Sequence, residues 1–314
     1  MLPASPPSDR PPAEGAPLVS VAIPTRGRAV WCAEAVASAL GQEGVDLEVV
    51  VALDGDDPET RARLEALADP RVRVVVQAAA GRSAARNLAW RSTRAARIAF
   101  LDDDDRLLPG SLAARLEALA RHPEAVLCHG RALPMDASGR PRGDAGPDPR
   151  SARGRPYDAL VAQCKGRSIL PSTVLVDRTA LERTGGFPED LPTGEDWLVF
   201  LRLSAGGPFV ALDAPVVLYR KHEGQVRWDP AQQEAALPTL LARWFDDPAT
   251  PERARPYRRR LEARLTAYVA RNYRRLGRLD DARRCLRVAV AKDPRLLLHP
   301  RRLRNWLGAV LRAT

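Results

Sequence analysis

Arg97-Ile98-Ala99-Phe100-Leu101-Asp102-Asp103-Asp104-Asp105 is the stretch whose reading decides the fold. Its first five residues form a short apolar run that reads as a buried strand, bounded by charge on one side and by Arg106 to Gly110 on the other. In an open α/β sheet, ligands bind beyond the carboxyl ends of the strands. Adjacent carboxylates at such a place repel one another, so they require a cation or shifted pKa values. A divalent metal, Mn²⁺ or Mg²⁺, suits them, since it takes a few carboxylates plus phosphate oxygens. The stretch therefore points to a metal-bridged phosphate ligand, with a solvated acidic turn as its rival.

Outward from this stretch the same grammar repeats. Leu18 to Pro24 is a β run, followed by Thr25-Arg26-Gly27-Arg28 and a helical period from Val30 to Leu40. Leu47 to Leu53 is a second strand ending in Asp54-Gly55-Asp56-Asp57, and Pro58 to Ala68 a helix with Pro in its first turn. Val72 to Val76 is a third strand, and Gly81 leads into a helix from Ser83 to Ser92. Arg97 to Leu101 is the fourth, Pro109 to Arg121 a helix, and Ala125 to His129 a fifth strand. Near-continuous apolar strands alternating with helices predict an α/β fold, a mostly parallel central sheet covered by helices on both faces. Polar residues gather at the strand exits, as a nucleotide crevice requires. Yet neither G-x-x-x-x-G-K-[ST] nor G-x-G-x-x-G follows the first strand, so metal and arginines must hold the phosphates.

Composition removes other classes. At 314 residues with 45% hydrophobic content, the chain can bury a core and carry an appendage. No run of about 18 apolar residues suggests a membrane span. Residues 1–17 lack an apolar h-region and read as a disordered leader rather than a signal peptide. Cys32, Cys128, Cys164 and Cys285 lie far apart without a C-x-x-C pair, which reads as reduced thiols in a cytoplasmic protein. The net charge of +10 comes almost wholly from arginine, since only Lys165, Lys221 and Lys292 are lysines. With the abundant Ala and Pro, that is the signature of GC-rich coding, and no nucleic-acid partner is expected.

In order, the motifs resemble those of inverting family 2 glycosyltransferases, which have the GT-A fold. They run through Val19 to Thr25, Leu47 to Gly55, Gly81-Arg82-Ser83-Ala84-Ala85-Arg86-Asn87, Phe100 to Asp105, and Leu108-Pro109-Gly110. Gly185-Gly186-Phe187, Gly194-Glu195-Asp196-Trp197 and Tyr219-Arg220-Lys221-His222 follow. Their joint occurrence over roughly residues 18 to 228 carries the resemblance. It implies a Rossmann-like GT-A domain at 18–230, a nucleotide-sugar donor and a divalent metal cofactor. Asp54 would bond the nucleobase, most often the imide N–H of uracil, or else be a turn aspartate before Gly55. Pro24, Thr25 and Arg26 would line the nucleotide pocket. Arg82 and Arg86 would approach ribose or diphosphate, where guanidinium forks suit phosphate oxygens. Arg82 reads equally as a solvated helix-start residue.

Within the four aspartates, Asp104 would be the direct metal ligand. Asp102 and Asp103 would contact ribose, metal or metal-bound water. The register is open by one, Asp105 alternatively capping the following helix. His222 would touch diphosphate or metal from a loop that also holds Lys221 and Arg227. The resemblance assigns Asp196 as general base for the acceptor hydroxyl, supported by Glu195. The rival for this pair is a helix N-terminus that favours carboxylates. Trp197 and Trp228 read as sugar platforms or simple packing. Residues 134 to 156 read as a mobile loop on the acceptor side.

From 231 to 314 the pattern is helical. Arg258 to Leu276 and Leu279 to Ala291 faintly resemble one tetratricopeptide-like hairpin, which cannot bury its own face. A last basic helix at 301–311 suits peripheral contact with the inner face of the plasma membrane, self-association, or docking on the protein's own core. The sequence thus predicts transfer of a sugar to a glycan, a lipid-linked or another glycoconjugate acceptor. A non-catalytic nucleotide-binding scaffold and a sugar nucleotidyltransferase are the alternatives. The second would want a Gly-rich, Lys-containing loop that Thr25-Arg26-Gly27-Arg28 does not supply.

Overall fold

The structure, a computed structural model, describes residues 18–143, 156–164, 169–222 and 229–298. In chain order the first elements are β1 (Val19–Thr25), α1 (Ala29–Leu40), β2 (Leu47–Asp54), α2 (Pro58–Glu65), β3 (Val72–Gln77), α3 (Arg82–Arg91), β4 (Arg97–Phe100), β5 (Arg106–Leu107) and α4 (Ser111–Arg121). Then come β6 (Leu127–Met135), β7 (Pro156–Tyr157), α5 (Ala159–Cys164), β8 (Val174–Asp177), α6 (Arg178–Arg183), α7 (Glu195–Gly206), β9 (Phe209–Arg220), α8 (Pro230–Phe245), α9 (Arg258–Arg275) and α10 (Leu279–Lys292). The chain divides into two compact units, Met1–Asp158 with Ile169–Glu189 and Gly206–Gln225, and Ala159–Ser168 with Asp190–Ala205 and Val226–Thr314.

The first unit holds the sheet, in the order β3-β2-β1-β4-β8-β6-β9-β5, with β7 on β9. Every residue of β1 and β2 is buried. Successive side chains of a strand face opposite ways. Val19, Val21 and Ile23, with Val49, Val51 and Leu53, share a cluster with Cys32 and Val36 of α1 and Leu112 of α4. α3 packs on β1 and β2 as well. Cover on both faces explains why these strands read as continuous apolar runs.

Parallel pairing joins β3-β2-β1-β4, the half that the sequence pattern displays most clearly. β8 then enters antiparallel to β4 and β6, while β6 and β9 pair in parallel. β5 escapes the sequence reading because two residues carry no period, yet it anchors the end of β9 through Arg106↔Leu218. β6 runs on to Met135, so Pro134 and Met135 are strand and not loop. The chain turns back at once, with Asp136 N–H bonded to the Arg140 carbonyl at 2.9 Å. The rest of the expected loop, residues 144–155, lies outside the described residues, as do the leader at 1–17 and the helix expected at 301–311.

The second unit is helical. Leu198 and Leu201 of α7, Leu240, Leu241 and Trp244 of α8, and Leu261 and Leu265 of α9 form its core. The α9–α10 hairpin buries Val269, Tyr273, Ala282 and Cys285, with Ala231 and Leu237 of α8 packed against them. The hairpin thus covers its apolar face with a helix of its own unit. Among the described residues, no helix is long and apolar enough to cross a membrane.

In the sheet unit, Asn87 fastens the Gly185-Gly186-Phe187 turn to α3. Its amide donates to the Phe187 carbonyl at 2.7 Å and accepts the Phe187 N–H at 2.9 Å. Gly186 has φ +81°, and a Cβ there would stand 2.6 Å from Asn87 Oδ1. Gly185 has φ +76° with open space around it. Gly185→Ala should therefore show the backbone penalty alone, about 1–3 kcal/mol. Gly186→Ala should lose clearly more, read as a lower melting temperature; equal losses would show that the Asn87 contact is soft.

Candidate active site

The aspartate turn begins where β4 stops pairing. β4 meets β1 as far as Ala22↔Phe100, while β1 continues three residues further, to Thr25. The exit of β1 therefore overhangs the turn, and Thr25 Oγ1 donates to Asp103 Oδ2 at 2.7 Å. From the loop after β1, Arg28 Nη1 donates to Asp103 Oδ1 at 2.8 Å and to Asp104 Oδ2 at 2.9 Å. From α3, Arg86 Nη2 donates to Asp102 Oδ1 at 2.6 Å, its guanidinium lying 5.5 Å from the centre of the Phe187 ring.

Asp105 faces the other half of the sheet. Its carboxylate accepts from Ser172 Oγ at 2.6 Å and from the Arg220 N–H at 3.0 Å. Ser172 also accepts the Asp102 N–H, at 3.1 Å. Asp105 therefore does not cap the next helix; Gly110 occupies the N-cap of α4. Arg220 is 1% exposed and completes the anchorage. Nε donates to the Asp104 carbonyl at 2.8 Å and Nη2 to Glu34 Oε2 at 2.5 Å. Two residues on, His222 Nε2 lies 3.0 Å from Asp104 Oδ2, its ring 4.5 Å from that of Trp31.

These surroundings separate the carboxylates. Burial works against the charge of Asp102, but Arg86, with Arg82 and Arg28, outweighs it and holds Asp102 below the usual range. Burial pushes Asp103 up to about 6 despite Arg28 and Thr25. Burial, with Asp102 and Asp104 nearby, raises Asp105 well above its ordinary value. Asp105 is thus a structural hydrogen-bonding group in the floor of the turn.

Asp54 ends β2 beside the same sheet edge. Its carboxylate takes N–H groups of Ala80 at 2.7 Å and Gly81 at 3.1 Å, and the Gln77 amide at 3.0 Å. Burial is outweighed by these bonds, and Asp54 is held below the usual carboxylate range. It thereby shapes the entry to α3, which starts at Arg82 behind Gly81. Exposed Arg26 approaches Asp54 Oδ2 at 3.8 Å. Pro24 pairs with Ala52 inside the sheet. Glu195 and Asp196 belong to the helical unit, where they open α7. Glu195 is buried, and Asp196 Oδ1 accepts the Trp197 N–H at 2.7 Å. Arg227 and Trp228 lie outside the described residues.

Among the described residues, no three His, Cys, Asp or Glu side chains converge into a ready metal cage. That does not count against Mn²⁺ or Mg²⁺, which bind through one or two carboxylates and fill the remainder with water and phosphate. Two donors cis on an octahedron of about 2.1 Å radius stand about 3.0 Å apart. Asp104 Oδ2 and His222 Nε2 are hydrogen-bonded at 3.0 Å, a separation that two cis ligands of such an ion would also have.

The sequence reading missed Arg28, Ser172 and the Glu34–Arg220 pair. Arg28 and Arg220 stood inside motifs already singled out, and their charge beside the acidic run was the available signal. Ser172 had none, because only the antiparallel entry of β8 brings it to the turn.

Residues 20–184 match the family model described as Glycosyl transferase family 2. The chain is 30% identical over 195 residues to chondroitin synthase of Escherichia coli, covering 62% of this chain and 27% of that protein. It therefore spans about a quarter of that relative's length. Among solved structures it resembles S. aureus TarS 1-349 in complex with UDP-GlcNAc, with TM-score 0.64, 17% identity, and 93% and 79% of the two chains covered. It also resembles the mannosyltransferase PcManGT of Pyrobaculum calidifontis in complex with GDP-Man and Mn²⁺, with TM-score 0.60, 20% identity, and 98% and 88% covered.

The raised Asp103 makes a pH prediction. Its folded value of about 6 lies above the unfolded 3.8, so the folded state holds the extra proton between them. Stability of the metal-free protein should fall as pH rises from about 4 to about 6, by roughly 3 kcal/mol at full effect. Denaturant titrations across this range should show a smaller fall in Asp103→Asn than in wild type, the difference being the Asp103 share, since raised Asp105 contributes a slope of the same sign in both. The same slope in both proteins would refute the assignment.

Proposed function

Since the chain belongs to glycosyl transferase family 2, we propose that it transfers a sugar from a nucleotide-sugar donor to an acceptor hydroxyl, inverting the anomeric centre. The observation that carries this reading is the convergence of Asp104, His222 and Arg28 at the exit of the central strands, where a donor diphosphate has its counter-charges. Asp104 and His222 would hold Mn²⁺ or Mg²⁺, with Asp102 as the further carboxylate of the motif. When bound, the ion would neutralise the diphosphate and the charge that grows on the leaving group.

The protein's own residues supply the remainder. Thr25 and Arg26 flank the nucleotide, and Arg82 offers a guanidinium at the start of α3. Arg86 acts chiefly by fixing Asp102. Asp54 keeps the Ala80–Gly81 loop in place, and its Oδ2 is the acceptor we assign to the nucleobase. A uracil base is favoured, in keeping with the UDP-GlcNAc complex of the S. aureus neighbour. Asp196 is the proposed general base, taking the acceptor proton during in-line displacement, with Glu195 in support. The sheet unit would then be the donor-binding domain and the helical unit its extension. The chondroitin synthase relative supports a glycan acceptor. A lipid-linked acceptor at the cytoplasmic face of the membrane, with the C-terminal helices as contact or self-association surface, extends the same reading.

Thermal shift with UDP, GDP, dTDP and CMP, with Mn²⁺ and then EDTA, tests the donor site. A nucleotide at 100 times its Kd should stabilise by about 2.7 kcal/mol. At roughly 2–4 °C per kcal/mol, that is readily seen. Asp104→Ala should abolish the metal-dependent shift, and a retained shift would remove Asp104 from the site. Asp196→Asn should keep donor binding but slow sugar transfer to the acceptor, with its release of nucleoside diphosphate, by about 10²-fold or more; unimpaired transfer would refute the base assignment.

A further inference from the structure

Arg28 meets the aspartate turn in a way that the donor-site reading does not explain. A single nitrogen, Nη1, bonds Asp103 Oδ1 and Asp104 Oδ2 together. The same Asp104 Oδ2 is the atom that faces His222 Nε2 at 3.0 Å. Asp102 has Arg86 as its fixed cation and Glu34 has Arg220, while Arg28 is the guanidinium that Asp103 and Asp104 share. A guanidinium does not deprotonate in a protein, so Arg28 cannot yield by losing its charge. A divalent ion that takes Asp104 Oδ2 competes with it for that oxygen and for the same space beside it. The side chain is able to leave: it is 26% exposed, and it follows Gly27, which has φ +66° and open space around it.

We infer that Arg28 is a resident counter-ion that occupies the metal position in the ligand-free protein and passes to the donor diphosphate when metal and nucleotide enter together. The inference rests on the proposed donor site and adds an order to it. Alone, a metal ion must evict a cation that has no new anion to meet. With a nucleoside diphosphate present, the released guanidinium gains phosphate oxygens whose geometry matches its fork. Metal and nucleotide therefore bind with positive coupling, and Arg28 is the element that couples them. It is a positioning residue whose effect has opposite signs on the two ligands.

The test is a titration of Mn²⁺, followed by the EPR signal of the free ion, with and without UDP, in wild type, Arg28→Met and Arg28→Lys. Compared with wild type, Arg28→Met should bind Mn²⁺ alone more tightly, by about fivefold or more, and should bind UDP with Mn²⁺ more weakly by a similar factor. The coupling between the two ligands should fall toward none, with Arg28→Lys between the extremes. If wild type binds Mn²⁺ with UDP while Arg28→Met leaves the affinity for Mn²⁺ alone unchanged or weaker, the inference is overturned and the donor site stands. If wild type binds no Mn²⁺ even with UDP, the donor-site reading fails and this inference with it. Ligand-free melting curves establish that each variant is folded; should Arg28→Met not fold, Arg28→Lys carries the same comparison.

Discussion

Four carboxylates within one turn set the terms for the sheet unit. Held together without compensation they would repel one another and lose hydration at once. The fold answers by giving each a partner from a different part of the chain. Arg86 comes from α3, Arg28 and Thr25 from the exit of β1, Ser172 from the approach to β8, and Arg220 from the end of β9. The turn is thus a junction of both halves of the sheet. Its charge balance and its geometry are one constraint, since a shift in any of these elements would leave a buried carboxylate unpartnered.

The same constraint sets the four aspartates apart by their partners. Asp105 is buried against Ser172 and the Arg220 N–H, whereas Asp102 is held by Arg86 and stays partly exposed. Asp104 shares an oxygen between Arg28 and His222, and so remains the carboxylate able to exchange partners. Sequence alone could not choose among four identical neighbours; the register follows from where β1 overhangs β4 and where β9 returns.

What the sequence revealed was what burial on two faces imposes. Runs such as Val21 to Ile23 and Val49 to Leu53 are apolar throughout because helices cover both sides, and they mark the parallel half plainly. β5 and the antiparallel β8 left no such mark, being short and set by pairing partners distant in sequence. Asp54 was legible as a polar strand exit, but not its bonds to Ala80 and Gly81, which depend on the backbone of a loop. Motif position singled out Asp102 to Asp104 and His222, whereas Arg28 emerged only once distances were known. In the helical unit, periodicity gave α9 and α10, and packing against α8 supplied the cover that one hairpin lacks.

We propose above all that the aspartate turn holds a divalent cation on the donor diphosphate. Crystals grown with UDP and Mn²⁺, measured at the manganese absorption edge, test it most directly. The expected result is an anomalous peak beside Asp104 and His222 and next to the diphosphate. Nucleotide bound at the strand exits with no peak there, or with manganese at other side chains, would contradict it.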